Sequence, residues 1–426
     1  MPFNVNNNTV VTDDRIVQSV SGAVGARPGT PVTGMTFFNT TDSIMEVYNG
    51  TAWISSTTGG GGGATPNAWA WGFNTTGPVG DNTVVNKSSP VSVVGGITDW
   101  VSASAGNQHS LAIRANGTLY AWGAGSTGRL GDNTVVNKSS PVLVAGGISD
   151  WISVSAGTSH TLGLRATGQL YAWGLATSGR LGDNSTVAKS SPVLVSGGFV
   201  DWISASAAES HNLGLRANGV LYAWGAGTSG RLGDGTTLGK SSPVVVSGGF
   251  ADWISAAVGT NHSLGVRANG TLYAWGANVY GQLGDNTVIN KAVPTLVVGG
   301  FVNWIDASCG DYHSLGLRAN GTLYAWGSGI SGQLGDNTSV SRSSPVLVVG
   351  GITDWVMASG GNLSSIAVRA NGTAYSWGQG SFGLRGNGTL NTASSPGLIS
   401  GGFTDWVSVN MQGASVVVVG IRAPAA

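Results

Sequence analysis

The side chains able to do chemistry are few, and most of them repeat. The five histidines, His109, His160, His211, His262 and His313, recur at a constant interval of 51 residues. Imidazoles are the commonest metal ligands and general bases. A constant interval places each in a separate copy of a repeated unit, so they cannot converge on the four positions of a tetrahedral metal. They read as half-buried framework groups hydrogen-bonded to backbone. The single cysteine, Cys309, rules out an intramolecular disulfide and a thiolate zinc cluster. It lies in the one segment that gathers a thiol, two carboxylates and an imidazole, Asp306-Ala-Ser-Cys309-Gly-Asp311-Tyr312-His313. A nucleophile needs a base and an orienting group beside it. Glycoside hydrolysis needs two carboxylates at a set separation, and Asp306 and Asp311 are the only off-pattern acids close in sequence. Cys309, however, takes a slot filled in most copies by alanine, as a small buried residue would. The reading is a non-enzyme with no catalytic residue, no metal and no cofactor.

The charges repeat as well. Lys87, Lys138, Lys189, Lys240, Lys291 and Arg342 share one position of the repeat, and Arg114, Arg165, Arg216, Arg267, Arg318 and Arg369 share another. Asp81, Asp132, Asp183, Asp234, Asp285 and Asp336 share a third, and Asp99, Asp150, Asp201, Asp252, Asp354 and Asp405 a fourth. Groups set out this regularly are expected to form ion pairs between blades and to cap loops. With 19 basic and 19 acidic residues the formal charge is zero, and only 9% of residues are charged. A surface that neutralises phosphates needs clustered Lys and Arg, so nucleic acid is not an expected partner. No apolar run reaches the length of a membrane span, and the N-terminus lacks a basic then apolar leader, so neither membrane insertion nor conventional export is expected.

The elements that must hold these groups follow from the period. The tryptophan of an Ala/Ser-Trp-Gly motif falls at Trp71, Trp122, Trp173, Trp224, Trp275, Trp326 and Trp377. A second tryptophan follows Asp or Asn at Trp100, Trp151, Trp202, Trp253, Trp304, Trp355 and Trp406. Seven copies of a 51-residue unit result. In one copy, the alternation of Ile203 and Ala205 with Ser204 and Ser206 predicts a strand. Leu213–Arg216 and Val220–Trp224 about Asn218-Gly219 predict a hairpin. Val244–Val246 after Pro243 predicts an edge strand. Four short strands per unit is the pattern of a propeller blade, so the fold class is all-β, a seven-bladed β-propeller over residues 65–423. The first copy starts inside its hairpin at Ala68-Trp69-Ala70-Trp71, and the last ends at Ser415–Ile421, which supplies the strand that the first copy lacks. Terminal strands are therefore expected to pair in one blade, closing the ring and removing two sheet edges.

The run Ser104–Thr134, with its Gly-x-x-His-Ser, Asn-Gly-x-x-Tyr-x-Trp-Gly and Gly-x-Leu-Gly elements, resembles the regulator of chromosome condensation repeat family. That resemblance extends over residues 65–423 and implies a seven-bladed propeller. The family's founding member is an exchange factor for a small nuclear GTPase and binds chromatin; its basic tails have no counterpart here, and that activity is not carried over. Binding is expected instead from loops that vary between copies. These are the pairs before the histidine position, which include Glu209, Asp311 and Tyr312, and the loops after Trp-Gly, which include Phe73, Tyr280 and Phe382.

Residues 1–58 carry no repeat, and Gly59–Gly63 within a 59–64 linker join them to the propeller. Gly29–Trp53 resembles a short module of bacteriophage tail and fibre proteins and predicts a small β-meander. The resemblance implies an arm that docks on other virion proteins or trimerises by burying Phe37, Phe38, Ile44, Val47 and Trp53. The resulting expectation is a virion component resembling a tail fibre or spike, whose propeller contacts a host-surface glycan or protein. The alternatives are a capsid-decorating or tail-structural subunit, and a propeller effector that engages a GTPase.

Overall fold

A computed structural model describes residues 67–423, together with the backbone of six short strands earlier in the chain. In that earlier part Thr36–Asn39, Ile44–Tyr48 and Trp53–Ser55 pair antiparallel in order. The side chains of Phe37, Phe38, Ile44, Val47 and Trp53 lie outside the described residues, and with them the expected oligomerisation surface.

Residues 67–423 form seven four-stranded antiparallel sheets arranged as a propeller. In blade one the order from the axis outward is Trp100–Ala105, His109–Arg114, Leu119–Gly123 and Lys138–Leu143. Blades two to six repeat this at 51-residue steps. In blades one and three to six the second and third strands meet across Asn-Gly turns, and in blade two across Thr167-Gly168; glycine takes positive φ there, +75° at Gly117. Pro141 sits in the outer strand, where register shifts between Ala121 and Gly123 leave its neighbourhood outside the ladder. Both kinds of loop joining an inner to a second strand and a third to an outer strand emerge on one face, called here the loop face. The Asn-Gly hairpins emerge on the other, the hairpin face.

Blade seven is composite, as the repeat phase requires. Trp406–Asn410 and Val417–Arg422 come from the C-terminal end, and Asn67–Gly72 and Lys87–Ser92 from the N-terminal end. Val417–Arg422 runs antiparallel to Asn67–Gly72 through six residue pairs, from Val417 opposite Gly72 to Arg422 opposite Asn67.

The core is distributed as seven layers between neighbouring blades. In one of them Leu111, Ile113 and Leu119 of blade one pack on Trp151 and Trp173 of blade two. The two repeated tryptophans serve this packing: Trp151 and Trp173 meet tilted at 5.8 Å, and Trp122 and Trp151 are almost fully buried. The third-strand tryptophan also donates its indole N–H to a loop carbonyl of the preceding blade, as Trp122 does to Pro78 at 2.9 Å. Six of the seven make this bond, Trp173 being the exception, and Gly80, at φ +73°, allows the approach of Trp122, because a Cβ there would lie 2.5 Å from its Nε1.

Candidate functional site

The histidines are latches between blades. Each is fully buried at the start of a second strand, and its Nε2 bonds a polar side chain one blade on. The pairs are His109 with Thr161 at 3.0 Å, His160 with Asn212 at 2.6 Å, His211 with Ser263 at 3.0 Å, His262 with Ser314 and His313 with Ser365, both at 2.9 Å. The partners fix the tautomer. Thr161, Ser263, Ser314 and Ser365 spend their hydroxyl protons on carbonyls of Arg129, Arg231, Gln282 and Gln333, and the Asn212 amide donates to Arg180. Each must then accept from an Nε2–H, so the rings are neutral and the five Nδ1 atoms have no partner. Burial lowers their proton affinity, to about 3 for His160, His262 and His313 and well below the usual range for His109 and His211. The partners are side chains of the next blade, where the sequence had pointed to backbone.

The repeated charges pair within blades, which corrects the expectation of pairing between them. Lys87, Lys138, Lys189, Lys240, Lys291 and Arg342 meet Asp81, Asp132, Asp183, Asp234, Asp285 and Asp336 at 2.8–4.0 Å on the loop face. On the hairpin face Arg114 pairs with Asp99 at 2.7 Å, and Arg165, Arg216, Arg267, Arg369 and Arg422 pair likewise. Arg318 meets Asn303 instead. Both members of each pair lie in one blade because both positions belong to one sheet: the lysine opens the outer strand beside the loop that carries its aspartate. Among the described residues three carboxylates stand outside this scheme, Glu209, Asp306 and Asp311, each a departure from the repeat.

All six candidate binding residues lie on the loop face. Phe73 and Phe382, in blades seven and six, stand edge to face at 5.4 Å, and Tyr280 and Tyr312, in blades four and five, at 5.3 Å. Phe382 and Tyr280 remain exposed, whereas Phe73 and Tyr312 are half-buried. Glu209 is exposed, and its backbone carbonyl accepts from the Arg180 guanidinium at 2.6 Å. Asp311 is buried at the rim of the central channel. It accepts from the Thr260 hydroxyl of blade four and, at 2.7 Å, from the Asn362 amide of blade six. Burial, aided by the charge of Glu209, pushes its carboxyl up to about 7 against the pull of Thr260. It thus ties three blades together and offers little surface to a ligand.

Two features escaped the sequence reading. Blade seven carries an insertion: Trp406 and Arg422 are 16 residues apart, where Trp355 and Arg369 are 14 apart, a difference visible in the spacing. The extra residues lengthen a loop, 411–415, that caps the channel on the loop face. The Gln412 amide donates to Ser206 Oγ of blade three at 2.7 Å and accepts from Ser155 Oγ of blade two at 3.0 Å. Asn107 of blade one donates to the Ala414 carbonyl at 2.6 Å, and the Asn362 N–H of blade six donates to Ser415. The second is a band of exposed aliphatic side chains on the loops before the outer strands, among them Val85, Val136, Val187, Leu238, Ile289 and Val340, each more than half exposed. Fourteen of the 24 exposed large apolar side chains among the described residues lie on the loop face. Cys309 and Asp306 line the channel instead, and burial raises the proton affinity of both. His313 is latched to Ser365, so the segment 306–313 assembles no nucleophile and base pair.

Comparison with known proteins adds a family and a set of relatives. The family described as the RCC1-like domain matches residues 67–419. The human E3 ubiquitin-protein ligase HERC2 is 29% identical over 79% of this chain, which spans 7% of that ligase. The ultraviolet-B receptor UVR8 of Arabidopsis thaliana is 29% identical over 80% of this chain and 79% of its own. Prp20p of Saccharomyces cerevisiae, whose structure was described with its binding properties to Gsp1p and histones, superposes with a TM-score of 0.75 at 22% identity, over 85% of this chain and 92% of its own. These matches overturn the expectation of a bacteriophage virion component, whether tail fibre, spike or capsid decoration, and with it a location in the virion: the relatives are eukaryotic RCC1-like proteins. The arm module, at 25 residues, was too short to outweigh a propeller signal some 350 residues long. With a ligase among the relatives, membership gives no ground for excluding an enzyme. Among the described residues no helix is long and apolar enough to cross a membrane.

Proposed function

We propose that this chain, which belongs to the RCC1-like domain family, is a protein-binding propeller that holds its partner on the loop face. The observation that carries this reading is the apolar band of that face. Side chains such as Leu238 (66% exposed) and Ile289 (63%) stand on rigid loops, and each adds roughly 100 Å² of apolar surface; together they exceed the few hundred Å² usual for an exposed patch. Around them the lysine–aspartate charges are neutralised in pairs, and four buried arginines, Arg129, Arg180, Arg231 and Arg385, are held by backbone carbonyls, which leaves Glu209 as the exposed unpaired charge among the described residues. A surface of this kind suits a folded protein, where burial of apolar area drives association.

The partner class we favour is a small GTPase. The sequence resemblance supports it, and so does the pairing of the yeast relative with Gsp1p. Ligase activity of the HERC2 kind is not proposed, because the match takes in so little of that protein. The test immobilises the full chain and measures binding of purified Gsp1p, with histones as a second probe, and release of fluorescent GDP from the GTPase. Leu238→Asp with Ile289→Asp is expected to abolish binding while Val200→Asp, on the hairpin face, leaves it intact. Binding that survives the loop-face pair and fails with the hairpin-face variant would overturn the assignment of the face; no binding of Gsp1p would overturn the GTPase.

A further inference from the structure

The seven inner strands enclose a central channel, and the loop carrying Gln412 caps its loop-face end, leaving the hairpin face as the way in. Beneath the cap is a cavity of about 260 Å³. Apart from one acid its walls are uncharged, with five serines, among them Ser155, Ser206, Ser308 and Ser359, five alanines, three valines and Met357. The one ionisable carboxyl in the wall is Asp306. The same strand position holds Ser102, Ser153, Ser204, Ser255 and Ser408 in five other blades and Met357 in the sixth, so the acid is a change made in one copy. Its Oδ1 accepts from Ser255 Oγ at 2.9 Å. No lysine or arginine lines the cavity. Among the described residues the arginines without a carboxylate partner, Arg129, Arg180, Arg231 and Arg385 on the loop face and Arg318 on the hairpin face, hold carbonyls, hydroxyls or an asparagine elsewhere.

A carboxylate in a walled cavity is costly when nothing positive compensates it. The fold avoids this at twelve other aspartates and omits the counter-ion here. The complement of the cavity is therefore one positive charge on a small body. Calcium and magnesium demand six or more oxygens and zinc at least three His, Cys or carboxylate ligands, and among the described residues no such cluster forms around the one aspartate. A primary ammonium group donates up to three hydrogen bonds, for which the Asp306 carboxylate and the oxygens of the wall serines are the acceptors at hand, while Met357 and the alanines suit a short carbon chain. The volume is just below that of pockets for drug-sized ligands, which confines the occupant to a few heavy atoms. We propose that the capped channel is a binding pocket for a small primary amine in its ammonium form, with Asp306 as counter-ion.

The test uses the full chain with ethylammonium chloride as the probe and potassium chloride at equal concentration as the control, at pH 8. Binding is read by ligand-observed saturation-transfer NMR and by the midpoint of thermal unfolding. Asp306→Ser restores the residue of the other copies and is expected to fold as they do; Asp306→Asn keeps the shape and removes the charge. The expected result is saturation transfer to ethylammonium and an upward shift of a few degrees in the wild type, both lost in the two variants. Equal shifts with potassium, or a response that persists in Asp306→Ser, would overturn the proposal.

Discussion

Acid should loosen this ring through its histidines, and the size of the effect can be worked out. The perturbation is a change from pH 7 to pH 5. In the unfolded chain an imidazole titrates near 6.5, whereas His160, His262 and His313 hold no proton in the fold until about pH 3. Between those limits the unfolded chain binds protons that the folded chain refuses, so stability falls as pH falls. At pH 5 each of the three removes about 2 kcal/mol, together about 6 kcal/mol. Asp311 works the other way: with its carboxyl raised to about 7, the fold keeps a proton that the unfolded chain has released, which returns about 2 kcal/mol over the same interval. His109 and His211 add to the loss and Asp306 to the gain, each by direction. The net loss is about 4 kcal/mol, with a slope near pH 5 of about 3 kcal/mol per pH unit, against a total stability of order 10 kcal/mol. Urea titrations followed by tryptophan fluorescence at constant ionic strength measure it. In His313→Ser the slope should fall by about 1.4 kcal/mol per pH unit, one proton's worth, although the variant starts weaker for want of the Ser365 bond. Equal stability at pH 5 and pH 7, or a slope unchanged in the variant, would refute the reasoning and mean that the imidazoles take up protons inside the fold.

Three further outcomes follow from the same structure. Gln412→Ala removes the two bonds that tie the cap to Ser155 and Ser206, and should lower stability by about 1–3 kcal/mol in urea unfolding without altering the sheets seen by circular dichroism. Ending the chain after Asn410 deletes Val417–Arg422, leaves Asn67–Gly72 unpaired on one side, and should yield an aggregating protein on size-exclusion chromatography; a monodisperse product would refute closure by that strand. Tyr280→Ala should leave the thermal midpoint within a degree or two, since the ring is 40% exposed, and should weaken partner binding where the loop face is the contact.

How much of this the sequence discloses depends on whether a feature repeats. The blade count, the composite closing blade and the inter-blade tryptophans follow from one interval, because a propeller buries its core between like units and each unit must present the same residues to its neighbour. The partners of the repeated charges were misassigned for a related reason. Lys138 and Asp132 recur in step, and an interval of 51 cannot tell a bond within a copy from one between copies; the loop that folds Asp132 back toward the outer strand decides it. The histidine partners were hidden too, since Thr161, Asn212, Ser263, Ser314 and Ser365 vary in type and share only the capacity to accept one hydrogen bond. The channel cap was legible as two surplus residues between Trp406 and Arg422, but its target was not, because Ser155 and Ser206 look like every other inner-strand serine.

The departures from repetition have a physical consequence of their own. Seven equal blades would make a surface on which a partner could dock in seven equivalent ways, and no residue type placed in every copy can break that degeneracy. Here the lysine–aspartate charges cancel pairwise and the unpaired loop-face arginines are buried against carbonyls, so one exposed off-pattern charge or aromatic ring stands out. Blade five concentrates such changes: Asp306 in the channel wall, Asp311 at the rim, Tyr312 against Tyr280, and Arg318 left with Asn303 in place of an aspartate. Glu209 stands exposed two blades away. The arc from blade three to blade five is therefore where a partner would find its register on an otherwise repeating face. Moving the asymmetry tests this: Tyr312→Ser with Glu209→Ser should weaken binding by more than the same number of substitutions at Val136 and Val187, although those bury comparable apolar area. Equal losses at both places would mean that the band alone, without register, holds the partner.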